Sequence, residues 1–259
     1  MAASGKKRLD LAVLTRGLAP SRQRARALIM SGKVLVNRKS IDKPGVAVAD
    51  QDEILVKGDD NPFVSRGGLK LEAALRAFEV FVAGKVCLDV GASTGGFTDC
   101  LLQHGACKVF AVDVGYGQLA WKLRQDPRVA VIERTNIRLL PVETVEEPVD
   151  LVTIDVSFIS LRIVVPAVLK FMKANAAVLA LIKPQFEIGK GQVGKGGVVR
   201  YPRLHQQVLD ELTVFFSRMP LSVSGVIDSP LLGPKGNKEF FIFLQRLPAD
   251  HRISNASLH

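Results

Sequence analysis

A chain of 259 residues with 47% hydrophobic side chains is long enough to bury a large core and to hold one sizeable domain beside a small one. Its 35 basic against 25 acidic side chains leave a net charge of +10, which favours a polyanionic partner. Three cysteines, none in a C-x-x-C pair, argue against a metal site or a disulfide framework, and the absence of a sustained apolar segment near the N-terminus argues against secretion or membrane spanning, so a reducing cytoplasm is the expected setting.

The first sixty residues carry 12 Lys and Arg against 7 Asp and Glu, half of the net charge. KRLDLAVLTRG predicts a short helix ending at Gly17. A second helix is capped by Ser21 and stopped by Gly32, and the strand VLV follows. On the second helix Ala25, Leu28 and Ile29 point inward, while Arg22 and Arg26, four residues apart, share an exposed ridge. IDKPGVAVADQDEILV alternates as further short strands with a proline at an edge. At GDDNPFVSRGG glycine, proline and acidic residues mark a boundary, which divides the chain into residues 1–60 and 61–259.

Beyond the boundary, VCLDV reads as a buried strand, GASTGG as a turn and FTDCLLQHG as the helix after it. The spacing G-x-x-x-G-G, with no Lys-Ser or Lys-Thr behind it, fits neither the dinucleotide fingerprint nor the P-loop, so phosphate chemistry is disfavoured. Gly91, Gly95 and Gly96 let the backbone approach a ligand closely at the start of a helix. A second apolar run, KVFAVDVG, ends at Asp113, where a doubly wound sheet offers a carboxylate to a ribose diol. VAVIERTN ends at Asn136, which is equally an adenine-edge partner or a turn residue. DLVTIDVSF ends at Asp155, and AVLALIKPQFE at Lys183. Polar residues thus recur where strands stop, the edge at which an open parallel sheet holds its ligand.

FEIGKGQVGKGGVVRYPR is glycine-rich and carries Lys190, Lys195, Arg200 and Arg203, which is equally the pattern of a loop facing RNA or of a solvated connection. HQQVLDELTVFFSR places Val208, Leu209, Leu212, Phe215 and Phe216 at helical spacing, a core stripe. With one Trp and two Tyr, an aromatic platform for base stacking is not expected, and Trp121 is assigned to packing.

Two resemblances extend this reading. RLD-x-x-L-x-x-x-GLA-x-SR through IM-x-GKV-x-VN to KPG and D-x-I-x-V resembles the RNA-binding module of the ribosomal-protein-S4 kind, which implies a small α+β domain laying a basic face on folded RNA, with Arg22, Arg26 and Lys33 as phosphate contacts. The loop DVGASTGGF looks like the one that holds S-adenosylmethionine in methyltransferases, which implies a cofactor set of Asp89, Gly91, Ser93, Gly95, Gly96 and Phe97 with Asp113 and Asn136. VSRGGLKLE, DVGASTGGFTD, AVDVGYGQLAWKLR, ERTNIR, IDVSFISL, KPQFE and GNKEFFIFL, in that order, resemble the TlyA or hemolysin-A-type ribosomal RNA 2′-O-methyltransferases, whose catalytic domain is FtsJ-like.

That resemblance implies an α/β, Rossmann-like sheet and a Lys-Asp-Lys-Glu set falling on Lys70, Asp155, Lys183 and Glu239. It also implies ribosomal RNA or a ribosomal subunit as substrate and a cytidine ribose as target. In such a set Lys183 either removes the hydroxyl proton or steadies the developing alkoxide. The competing readings are a catalytically silent RNA-binding or ribosome-assembly factor and, from the hemolysin name, a membrane-lytic protein.

Overall fold

The computed structural model describes residues 6–19, 21–57, 61–189, 191, 193–194 and 196–248, within two compact units, 1–62 and 63–259. In the first unit β1 (Lys7–Arg8), α1 (Leu9–Thr15), α2 (Arg22–Met30), β2 (Val34–Val36), β3 (Lys39–Ile41), β4 (Ala47–Val48) and β5 (Ile54–Val56) follow in order. Ser21 caps α2, its Oγ accepting from the Arg24 amide at 3.1 Å, and Gly17 and Gly32 turn the chain at φ +70° after each helix. β2 lies between β3 and β5, antiparallel to both, and β1 pairs with β4. Leu9, Val13, Ala25, Ile29 and Val34, all fully buried, form a core that two short helices and five very short strands could not otherwise stabilise.

The second unit begins with α3 (Arg66–Ala77) and continues through β6 (Val86–Val90), α4 (Gly96–Gln103), β7 (Lys108–Val112), α5 (Trp121–Arg124), β8 (Val129–Ile132), β9 (Val149–Ile154), α6 (Leu161–Val168), β10 (Met172–Ile182), α7 (Pro184–Glu187), α8 (Pro202–Ser217), β11 (Leu221–Asp228) and β12 (Phe240–Arg246). The seven strands form one sheet in the order β11-β12-β10-β9-β6-β7-β8. The five from β10 to β8 are parallel, while β12 runs antiparallel between β10 and β11. Apolar layers cover both faces, one built on Leu88, Val152 and Val178, the other on Cys87, Leu151 and Leu179. Buried on both sides, the parallel strands therefore read as continuous apolar runs. Val208, Leu212 and Phe216 of α8 are buried as the stripe predicts, with Leu209 and Phe215 packed at their margin.

Two features of this topology position the polar residues. The strand order reverses between β6 and β9, which opens a crevice beyond their C-terminal ends. Because β12 is antiparallel to β10, with Phe240 opposite Ile182, the residue preceding β12 arrives beside the residue following β10. Glu239 and Lys183 are brought to one edge by that register alone.

Candidate active site

The glycine-rich loop bridges β6 and α4, with Gly91 at φ +86° and Gly95 at φ +94°. Its glycines serve the chain's own packing as well as any ligand. A Cβ on Gly91 would lie 2.4 Å from the Asp155 carbonyl oxygen, one on Gly95 2.2 Å from Leu123 Cδ1, and one on Gly96 2.2 Å from Ser65 Oγ. The expectation that Gly95 is small to admit a ligand is thus corrected: Leu119 and Leu123 fill that side. Asp89 is a second correction. It is fully buried on the α4 face of β6, opposite Thr153 in the β9 register, and its carboxylate accepts from Thr98 Oγ1 at 2.7 Å and Thr153 Oγ1 at 3.0 Å. Burial raises its carboxyl to about 6. Asp89 therefore ties β6, β9 and α4 together and lines neither cavity described below. Phe97 is also mainly core, stacked on Phe241 with ring centroids 6.1 Å apart, although it reaches the wall of the smaller cavity.

Two cavities open at the crevice. The larger, about 510 Å³, is bounded by Asp113, Asn136, Asp155 and apolar groups including Val112, Ile137 and Ile159. Asp113 accepts from the Ser93 amide at 2.8 Å through one carboxylate oxygen and from the Gly115 amide at 2.6 Å through the other, so it joins the loops after β6 and β7. A carboxylate has about four acceptor positions, and two remain for a diol. Asn136 Oδ1 accepts from the Arg138 amide, the turn role, while the residue still borders the cavity. Two further lining residues, Ser93 at φ +48° and Phe158 at φ +65°, hold left-handed backbone that non-glycine residues seldom adopt. Such strain concentrates at functional sites.

The smaller cavity, about 350 Å³, shares Gly91, Ser93 and Asp155 with the larger, and Lys70, Asp155, Lys183 and Glu239 all line it. Lys70, on α3, donates to Glu239 Oε2 at 2.6 Å. Lys183 Nζ stands 2.6 Å from Asp155 Oδ1 as an ion pair and donates its hydrogen bond to Ser157 Oγ at 3.1 Å. Both lysines are nearly covered, and Glu239 Oε1 is buried with no hydrogen-bond partner among the described residues. The four groups thus stand as two cation–carboxylate pairs facing one space, an arrangement suited to holding a hydroxyl and moving its proton.

The residues that fix this geometry went unnoticed in the sequence. Glu187, at the end of α7, accepts from Ser160 Oγ at 2.6 Å and the Leu161 amide at 2.8 Å, while Phe186 packs on Phe158. The turn after Lys183 therefore clasps the loop after Asp155 at three points. Burial raises the Glu187 carboxyl, which its two donors partly offset. Asn237, also buried, accepts from the Val199 amide and donates to the Gly197 carbonyl, fastening the glycine-rich segment beside Glu239. Both lie inside KPQFE and GNKEF, but only their neighbours advertise chemistry. Lys190 and Lys195 lie outside the described residues; Arg200 is exposed.

In the first unit Ala25, Leu28 and Ile29 are buried and Arg26 is exposed, with no acidic partner among the described residues. Arg22 is exposed on the same ridge, and its Nε also donates to Asp10 Oδ2 at 3.1 Å, while Arg8 binds the same fully buried carboxylate. The hydrogen bonds from Arg8, then those from Arg22, hold Asp10 at about 2 against the opposing effect of burial. Lys33 is half-buried just before β2. A shallow groove runs past Arg22, Arg26 and Met30 on α2. Trp121 is the last correction: it is 71% exposed, because Leu123 rather than Trp121 supplies the buried side of the single turn α5.

Comparison with known proteins gives this geometry a context. Residues 63–246 match the FtsJ-like methyltransferase family and residues 7–54 the S4 domain. The chain belongs to the FtsJ-like methyltransferases. It is 49% identical, over 97% of its length and 94% of the relative's, to the 16S/23S rRNA (cytidine-2′-O)-methyltransferase TlyA of Mycobacterium tuberculosis. It is 40% identical to a protein of Brachyspira hyodysenteriae named Hemolysin A, over 90% of this chain and 97% of that one. Among solved structures it is similar to one from Streptococcus thermophilus described as a hemolysin, at a TM-score of 0.74 and 44% identity, covering 95% of this chain and 90% of that one. Among the described residues no helix is long and apolar enough to cross a membrane.

Proposed function

We propose that this chain is an S-adenosylmethionine-dependent methyltransferase that modifies the ribose 2′-oxygen of a cytidine in ribosomal RNA, working in the cytoplasm where ribosomal subunits are found. The observation that carries the reading is the meeting of the two cavities. One offers an apolar slot with the Asp113 carboxylate, as an adenosyl group needs, and the other gathers Lys70, Asp155, Lys183 and Glu239. Their shared wall at Gly91, Ser93 and Asp155 is where donor and acceptor atoms would approach.

The cofactor, when bound, supplies an activated methyl group, so the chain's own task is alignment and removal of one proton. Lys183, held by Asp155 and Ser157, orients the ribose hydroxyl and takes its proton or stabilises the alkoxide as it forms. Lys70, anchored by Glu239, fixes the other side of the ribose. The S4 domain, through Arg26 and its neighbours, contributes phosphate contacts that position the substrate without reading its sequence.

The test is methyl transfer from labelled S-adenosylmethionine to 30S and 50S subunits from cells lacking the gene, under single-turnover conditions. Lys183→Ala should lose most of the transfer while keeping cofactor and RNA affinity, since its contribution is made in the transition state. Near-normal transfer would overturn its role. Label on a base would overturn the reaction, and binding without any transfer by the unaltered chain would establish the silent RNA-binding factor instead.

A further inference from the structure

The stretch from the end of β7 to the first residue of α5 exposes three large side chains within eight residues: Val114, Tyr116 and Trp121, at 73%, 66% and 71%. Their exposure is built into a rigid frame. The Arg134 amide donates to the Gly115 carbonyl at 2.9 Å, and the Gly117 amide donates to Glu133 Oε1 at 3.0 Å. Arg124 pairs with that same Glu133 oxygen, so one carboxylate joins the Tyr116 loop to α5. Trp121 opens the single turn that ends at Arg124, so the same carboxylate ties the turn carrying Trp121 to the loop carrying Tyr116.

Arg134 itself sits at φ +53°, a left-handed conformation that costs free energy in a non-glycine residue, and its guanidinium carbon lies 4.1 Å from the Tyr116 ring centroid. Neither Arg134 nor Arg138 has an acidic partner among the described residues, so the surface combines exposed aromatic rings with positive charge that no carboxylate neutralises. It adjoins the larger cavity directly, since Val114, Gln118, Thr135 and Asn136 on either side of Tyr116 and Arg134 line it.

We propose that Tyr116, backed by Arg134, and Trp121 form a second RNA-binding surface, in the methyltransferase unit itself, on which unpaired bases near the target nucleotide stack. The inference rests on the ribosomal RNA methyltransferase reading. Aromatic faces accept any base, and the cations serve the phosphates between them, which suits a strand being led into the site rather than one being read.

The experiment uses the full chain and 30S and 50S subunits from cells lacking the gene. Tyr116→Ala and Trp121→Ala should each weaken subunit binding by roughly five- to 150-fold, the range for losing one base–aromatic stack. Tyr116→Phe and Trp121→Phe should restore it, and the melting temperature and S-adenosylmethionine affinity should not move. Ultraviolet cross-linking should join the peptide carrying residues 114–121 to a nucleotide. Normal binding by both alanine variants, in an enzyme that methylates normally, would overturn the surface while leaving the proposed function intact. No binding or transfer by the unaltered chain would instead remove the function on which it rests. Three other results would each overturn the stacking role: cross-links to a ribosomal protein alone, weakened cofactor affinity in Tyr116→Ala, or a loss confined to Arg134→Ala.

Discussion

Replacing Asp89 with Asn should make the methyltransferase unit more stable at neutral pH and leave it nearly unchanged in acid. Burial lifts this carboxyl from its ordinary 3.8 to about 6, and the hydroxyls of Thr98 and Thr153 only partly compensate. Between those two values the folded chain holds a proton that the unfolded chain has released, so stability falls as pH rises from about 4 to 6 and stays reduced above. At about 1.4 kcal/mol per pH unit the penalty at pH 7 is on the order of 3 kcal/mol. Asn carries no charge, and both threonine hydroxyls rotate to suit its oxygen or its amide. The stability difference between variant and parent should therefore grow by about 3 kcal/mol between pH 4 and pH 7, or roughly 6–12 °C in melting temperature for a unit of this size. Urea unfolding across this range provides the measurement, followed through Trp121, the sole tryptophan, which lies in this unit. Parallel pH curves for the two proteins would refute the reasoning. So would a folded variant that no longer binds S-adenosylmethionine, since Asp89 would then have to act on the cofactor.

Gly95→Val should destabilise the methyltransferase unit by about 2–5 kcal/mol through backbone strain and collision with Leu123, visible in thermal melts, rather than weakening cofactor binding in an intact fold. In the first unit, Arg26→Ala should lower the salt slope of subunit binding by about one without altering the melting temperature, whereas Arg22→Ala should lower both because it also leaves the buried Asp10 with one partner fewer. The same carboxylate predicts acid sensitivity. Held at about 2, Asp10 contributes stability that is complete above about pH 4 and is lost as pH falls through 2, so an Arg8→Ala, Arg22→Ala double variant should show a flatter acid limb in circular dichroism.

The sheet was legible because buried parallel strands are uninterrupted apolar runs, and each polar residue that ends one marks the ligand edge. That logic located Asp113, Asp155 and Lys183, and the motif GNKEF located Glu239. Asp89 entered the cofactor set through the resemblance of its loop, but the pleat of β6 turns its side chain into the helix layer, where it meets Thr98 and Thr153. Trp121 was misassigned for a related reason. A four-residue helix is too short to display a periodicity, so nothing in WKLR indicates which side chain points inward. The glycines stand out in the sequence, but sequence does not distinguish room for a ligand from room for Leu123 or the Asp155 carbonyl. Glu187 and Asn237 act through partners 26 to 40 residues away, and no local pattern encodes such contacts.

The place of β12 in the sheet has a consequence for how the enzyme comes into being. The four clustered side chains span residues 70 to 239, and the last of them is delivered only when β12 slides between β10 and β11. As the chain leaves the ribosome, β10 therefore waits with an unpaired apolar edge for some sixty residues of further synthesis, a form open to misassociation. During that interval the cofactor cavity can already close around Asp113 while the proton-handling groups remain incomplete. A newborn chain would thus gain the capacity to hold its methyl donor before it gains the capacity to use it.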